Sequence, residues 1–201
     1  MQNKEPKYSG FTFSQTDKPI VWIDLEMTGL DLEKETILEV GIVVTDSDLR
    51  NKLMGPNIII ACPEETLTKM DEWNQKHHAE SGLLDQVRAS KVTMEQAEQM
   101  LLQFLNNLNV GYQVAPLAGN SIHTDRRFLQ KYMPQLTDFL SYKIIDVTTF
   151  KHLCRRWNPK VNQQRPKKKL GHRAVDDILE SIQEMEYYRV NFIKMAGQSQ
   201  H

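Results

Sequence analysis

The sequence predicts an α/β domain on a mixed five-stranded sheet, and two observations carry that expectation. Three apolar runs rich in β-branched residues come first, joined by short links, as in an antiparallel meander. After a helical stretch, two more short apolar runs alternate with segments of helical periodicity, the order expected of strands joined by crossover helices.

Residues 1–18 are polar and are expected to form a mobile arm. Residues 20–24 form an apolar run that ends in Asp24, and Thr28-Gly29 marks the turn after it. Residues 37–45 make the second strand. Residues 56–62, centred on Ile58, Ile59 and Ile60, make the third. Thr93 with Gln96 three residues on is a capping-box signal. Met94, Ala97, Leu101, Phe104, Leu105 and Leu108 then recur at helical spacing. A fourth strand is expected at 114–118 and a helix at 124–133, stopped by Pro134. Residues 143–146 read as the fifth strand. A helix from Val147 carries Phe150, Leu153, Cys154 and Trp157. Residues 158–171 read as a basic loop, and a last helix begins near Arg173. This connection pattern fits a ribonuclease H-like sheet, with strands one to three antiparallel and strands four and five parallel to strand one. The expected organisation is an arm at 1–18, one domain at 19–195 and a tail at 196–201.

Hydrophobic residues make up 40% of the 201, enough for a core, so disorder is not the expectation. No apolar run approaches the roughly 18 residues a membrane helix needs, so no membrane partner is expected. Residues 1–18 contain Glu5 and Asp17 and no Arg, unlike a secretory or transit leader. Cys62 and Cys154 make no disulfide framework, which places the chain inside the cell. The net charge is −1, but residues 151–173 hold nine Lys or Arg and no Asp or Glu. A near-neutral chain can thus present a local positive surface to phosphates.

Side chains at i and i+2 of a strand face one side, so Asp24 and Glu26 aim two carboxylates at one point. Paired carboxylates repel, and a hard divalent cation relieves that repulsion. Asp31 and Glu33 repeat the spacing but read as solvated turn residues. Asp125 stands at a helix start after a strand, where ligand sites of open α/β sheets gather. Taken alone it also reads as ordinary helix-start electrostatics. Asp177 follows His172 by five residues on the last helix; Asp176 points about 100° away from it. An imidazole beside a carboxylate cluster suits a general base near neutral pH.

Together, Asp24-x-Glu26, Asp125 and His172-x4-Asp177 resemble the DEDDh exonucleases, and specifically the oligoribonuclease family. The resemblance is carried by residues 22–30, 119–122, 125–129, 131–134 and 172–178, and runs from about 20 to 194. It implies a 3′→5′ exoribonuclease that cuts dinucleotides and other very short single-stranded RNA (nanoRNA) to nucleoside 5′-monophosphates, the final step of RNA turnover. It implies two divalent cations, Mg²⁺ or Mn²⁺, held by Asp24, Glu26, Asp125 and Asp177, with His172 taking a proton from the attacking water. It assigns Leu30 and Trp73 to the terminal bases, and Ser121, Lys143 and Thr148 to the 5′ phosphate. It assigns Tyr142 to a contact across a homodimer interface. It also implies a cytoplasmic location, a mitochondrial one, or both. Two positions depart from the family pattern: Lys143 replaces an arginine and Ser141 a histidine. Lysine lacks the bidentate grip of arginine on phosphate, so a looser 5′ cap is expected.

Short DNA is a second candidate substrate, since the same five residues would serve a DNA exonuclease. The set Leu30, Trp73 and Tyr142 favours RNA. A catalytically dead RNA-binding module would lack one of the five residues. A zinc hydrolase would need ligand spacing that His77, His78 and Cys62 do not provide.

Overall fold

The computed structural model describes residues 12–14, 17–167 and 173–193. Most of the expected arm, the tail at 196–201 and residues 168–172, including His172, lie outside the described residues. The described residues form five strands and nine helices. The strands are β1 (Ile20–Met27), β2 (Ile37–Thr45), β3 (Lys52–Ile59), β4 (Leu117–Gly119) and β5 (Ile144–Asp146). Between β3 and β4 lie α1 (Glu64–Thr68), α2 (Glu72–Glu80), α3 (Leu83–Ala89) and α4 (Met94–Asn107). Between β4 and β5 come α5 (His123–Tyr132) and α6 (Pro134–Phe139), and after β5 come α7 (Val147–Trp157), α8 (Pro159–Gln163) and α9 (Ala174–Asn191).

The strand order is β3-β2-β1-β4-β5. β1 pairs antiparallel with β2 and β2 with β3, whereas β4 lies parallel to β1 and β5 parallel to β4. The mixed sheet is the one expected. Most helices cover its two faces. Val21, Ile23 and Leu25 of β1 pack with Leu101, Phe104, Phe128 and Leu136 on the α4–α6 side. Trp22 points the other way, into a cluster with Val147, Ile178, Ile182 and Tyr188 of α7 and α9. Its indole Nε1 donates to Thr45 Oγ1 at 3.0 Å. Strand alternation therefore puts Asp24 and Glu26 on the α9 face, beyond Trp22. Losing the buried Trp22 ring would cost about 3–5 kcal/mol.

Several elements differ from the sequence expectation, among them β4, which spans Leu117–Gly119 and not 114–118. The third strand begins at Lys52 and ends at Ile59, not at 56–62. Pro56 is tolerated because β3 is an edge strand, and Gly55 is required because a Cβ there would come within 2.4 Å of Ile42 and 2.6 Å of Phe104. The loop at 158–171 contains α8, capped by Asn158 with Pro159 at its first position. Within the expected arm, Phe13 is buried in the core and its N–H donates to Leu108 O at 2.9 Å. No helix among the described residues is long and apolar enough to cross a membrane.

Candidate active site

The site forms where the end of β1 meets the start of α9 and the start of α5. Asp24 and Glu26 project from β1 on one face, and Asp177 comes from the first turn of α9. One carboxylate oxygen from each of the three lies within 4.8 Å of the others. The β1–β2 register shifts between Glu26 and Met27, where Leu38 of β2 is skipped. α9 approaches closely because β2 has Gly41 there: a Cβ on Gly41 would sit 3.0 Å from the Ala174 Cβ.

Asp125 is brought beside this group without joining the triad. It is buried, and its Oδ1 accepts the Leu25 N–H at 3.1 Å, which ties α5 to β1 between the two β1 carboxylates. Burial pushes the Asp125 carboxyl up to about 7, against the opposing pull of the Leu25 N–H. Burial also pushes Glu26 up to about 8, with Asp177, Glu39 and Asp125 adding repulsion and Arg173 opposing it. Without a counter-charge Glu26 and Asp125 favour their protonated forms. Hard oxygen donors at this separation fit a divalent cation, whose charge would displace those protons.

His78 is buried at the same end of β1. Its Nε2 donates to Met27 O at 2.9 Å, and its Nδ1 lies 3.8 Å from Glu26 Oε2. It is the buried residue of α2, the helix that presents Trp73. Trp73 is 58% exposed and stacks on His77 with ring centroids 3.9 Å apart. Leu30 is 72% exposed in the loop after β1. That loop is fastened from below, since Tyr132 of α5 donates its hydroxyl to Glu35 O at 2.6 Å and Lys131 donates to Leu32 O at 2.5 Å. Leu30 and Trp73 both present exposed apolar surface.

Ser121 and Thr148 meet at the ends of β4 and β5. The Ser121 N–H donates to Asp146 Oδ1 at 2.9 Å and to Thr148 Oγ1 at 3.0 Å. Ser121 holds φ +52, a left-handed conformation that these bonds sustain. Asp146 also caps α7 by accepting the Thr148 N–H at 2.9 Å. Sequence reasoning missed Asp146, although an acid between a strand and a helix followed by Thr two residues later is a cap signal. It missed Asn120 as well, which donates to Ser181 Oγ at 2.7 Å on α9. Tyr142 and Lys143 lie just before β5. Tyr142 is 80% exposed, and the Lys143 Nζ lies 5.7 Å from its ring centroid. The Ser141 hydroxyl is buried and accepts the Lys143 N–H at 3.3 Å.

Residues 21–185 match the RNase_T exonuclease family. The human mitochondrial oligoribonuclease is 50% identical over 175 residues, covering 87% of this chain and 73% of that one. The oligoribonuclease of Pseudomonas paraeruginosa is 48% identical over 181 residues, covering 90% of this chain and 99% of its own. Among solved structures, E. coli exonuclease I in complex with a dT13 oligonucleotide superposes with TM-score 0.63 at 12% identity. That likeness covers 86% of this chain and 41% of the larger enzyme, and speaks for the fold.

Proposed function

We infer how the site works from one premise: the chain belongs to the oligoribonuclease family of RNase_T exonucleases. It is a 3′→5′ exoribonuclease that degrades short oligoribonucleotides to nucleoside 5′-monophosphates. The observation that carries the assignment of the site is the convergence of Asp24, Glu26 and Asp177. In our reading these three, with Asp125 alongside, hold two divalent cations, Mg²⁺ or Mn²⁺. Bound cations supply charge neutralisation for in-line displacement at phosphorus.

The chain's own groups do the rest. Leu30 and Trp73 bracket the terminal bases, and exposed aromatic surface of this kind stabilises stacking by about 1–3 kcal/mol per base. Asp125, anchored to Leu25, keeps the α5 side of the cleft closed against β1. Ser121 and Thr148 offer hydroxyls to the 5′ phosphate, and Lys143 adds a point charge nearby. His172 is the proposed general base, taking a proton from the attacking water. Its neighbour in sequence, Arg173, is fixed against the sheet.

A homodimer is part of the proposal. β5 is the outer strand of the sheet, Ile144 is 39% exposed on it, and Tyr142 stands beside it. An apolar strand edge of this kind is normally covered, and a second copy would bring Tyr142 to its partner's substrate. Cytoplasm and mitochondrion are the proposed compartments. The test is rate against length on 5′-phosphorylated RNA of two to seven nucleotides with matched DNA, under Mg²⁺ or Mn²⁺. Fastest turnover of the shortest RNA supports the reading; equal rates on DNA and on all lengths would refute it.

A further inference from the structure

We propose that Glu39 and Arg173 are positioning residues that seat the start of α9, and with it Asp177, against the two β1 carboxylates. The inference rests on the placement of Asp177 among the cation ligands. Three observations carry it. First, Glu39 carries a fully buried carboxyl group, within the sheet at the site end of β2. Arg173 answers it with a fork: Nε lies 3.1 Å from Oε1 and 3.3 Å from Oε2, and a terminal nitrogen lies 3.1 Å from Oε1. Asn57 donates to the same carboxylate at 2.6 Å, and the same terminal nitrogen of Arg173 also donates to Gln86 Oε1 at 3.0 Å. A buried carboxylate with that many donors is held in one orientation.

Second, the register puts the clamp directly across from the ligands. Glu26 pairs with Glu39 and Asp24 pairs with Gly41. Glu39 and Gly41 share a face of β2, the one α9 covers. Glu39 grips Arg173, the cap residue, and Gly41 receives Ala174 and Val175, the first residues of the helix. Two points of β2, two residues apart, thus fix two successive points of the α9 start. Third, the helix transmits that placement without slack. The Asp177 N–H donates to Arg173 O at 3.0 Å, closing the first turn between the clamp and the ligand. A clamp used for stability alone has no need of this address, because buried ion pairs seldom outperform apolar packing.

The experiment compares turnover of a 5′-phosphorylated diribonucleotide and Mn²⁺ affinity by electron paramagnetic resonance. The proteins are the wild type, Asp177→Asn, Arg173→Ala, Arg173→Lys and the double variant Glu39→Gln/Arg173→Met. The double variant removes both charges while keeping bulk and an acceptor for Asn57, so it folds even where a lone buried carboxylate would not. We expect kcat of Arg173→Ala and of the double variant to fall up to about 100-fold, the scale of an ångström misplacement. KM should stay within about twofold, because Leu30 and Trp73 stand on other elements. Mn²⁺ affinity should fall in parallel. Millimolar guanidinium, and not an equal concentration of NaCl, should restore part of the Arg173→Ala rate, and Arg173→Lys should fall short of wild type. Wild-type kcat and Mn²⁺ affinity in the folded double variant would overturn the proposal. Full turnover by Asp177→Asn would overturn the ligand assignment beneath it instead.

Discussion

The raised proton affinity of Glu26 and Asp125 makes cation binding a proton-releasing event, and the amount can be worked out. With Glu26 at about 8 and Asp125 at about 7, the two groups together hold about 1.4 protons at pH 7 in the cation-free protein. Binding that leaves both ionised must expel them. At pH 9 the same two groups hold about 0.1 proton, so the release fades. Calorimetric titration of Mn²⁺ in two buffers of different ionisation enthalpy reads the number directly. Glu26→Gln should lower the pH 7 value to about 0.5, leaving the Asp125 share. The same shifts set a stability trend. The folded cation-free chain holds the Glu26 proton more tightly than the unfolded chain does. That contribution is therefore complete below about pH 4.5 and is lost as pH rises through about 8. Its scale is up to about 5 kcal/mol, since each pKa unit is worth about 1.4 kcal/mol. Cation-free Glu26→Gln should accordingly melt higher than wild type at pH 8 and no higher at pH 4.5. A proton count near zero at pH 7, with Mn²⁺ bound, would refute the electrostatic account of the cluster.

Other outcomes follow from the same geometry. Asp24→Asn should lose at least about 100-fold in turnover with its melting temperature within a few degrees of wild type, read by single-turnover kinetics and thermal unfolding. Trp73→Ala should raise KM for a dinucleotide by about 5- to 150-fold, matching about 1–3 kcal/mol of stacking, with a smaller change in kcat. Tyr132→Phe removes the 2.6 Å bond to Glu35 O and should cost about 1 kcal/mol in urea unfolding, while raising KM through a looser Leu30 loop. Lys143→Arg should increase the preference for 5′-phosphorylated over unphosphorylated dinucleotide, measured as a ratio of kcat/KM values, because the guanidinium can grip two phosphate oxygens.

The parts of the molecule legible in the sequence are those governed by a short period. Asp24 and Glu26 are two residues apart on a strand, so their common face is a local fact. The α4 capping box is another: Thr93 accepts from Gln96 N, and the Gln96 side chain accepts from Thr93 N. The start of β3 was hidden because Gly55-Pro56 reads as a break, and only the strand's place at the sheet edge makes it harmless. α1, α2 and α3 were hidden because each is short and α2 has almost no apolar face; Asp71 caps it locally. The clamp was hidden for a different reason. Glu39 and Arg173 are 134 residues apart, and nothing local marks either as half of a pair. The position of Asp177 could be named from its motif, but the means of holding it there could not.

Among the described residues, the helix that presents Trp73 buries one side chain. His78 is its buried side chain and Met27 O is its grip on β1. A helix that buries one side chain opens at lower free energy than strands buried along their length, and its amides should exchange with solvent before those of β1 and β2. A base stacked on Trp73 would then stiffen the helix as well as fill a pocket. Part of the binding free energy goes into that ordering, so the enzyme's grip on a nucleotide should weaken steeply with warming, long before the sheet itself melts.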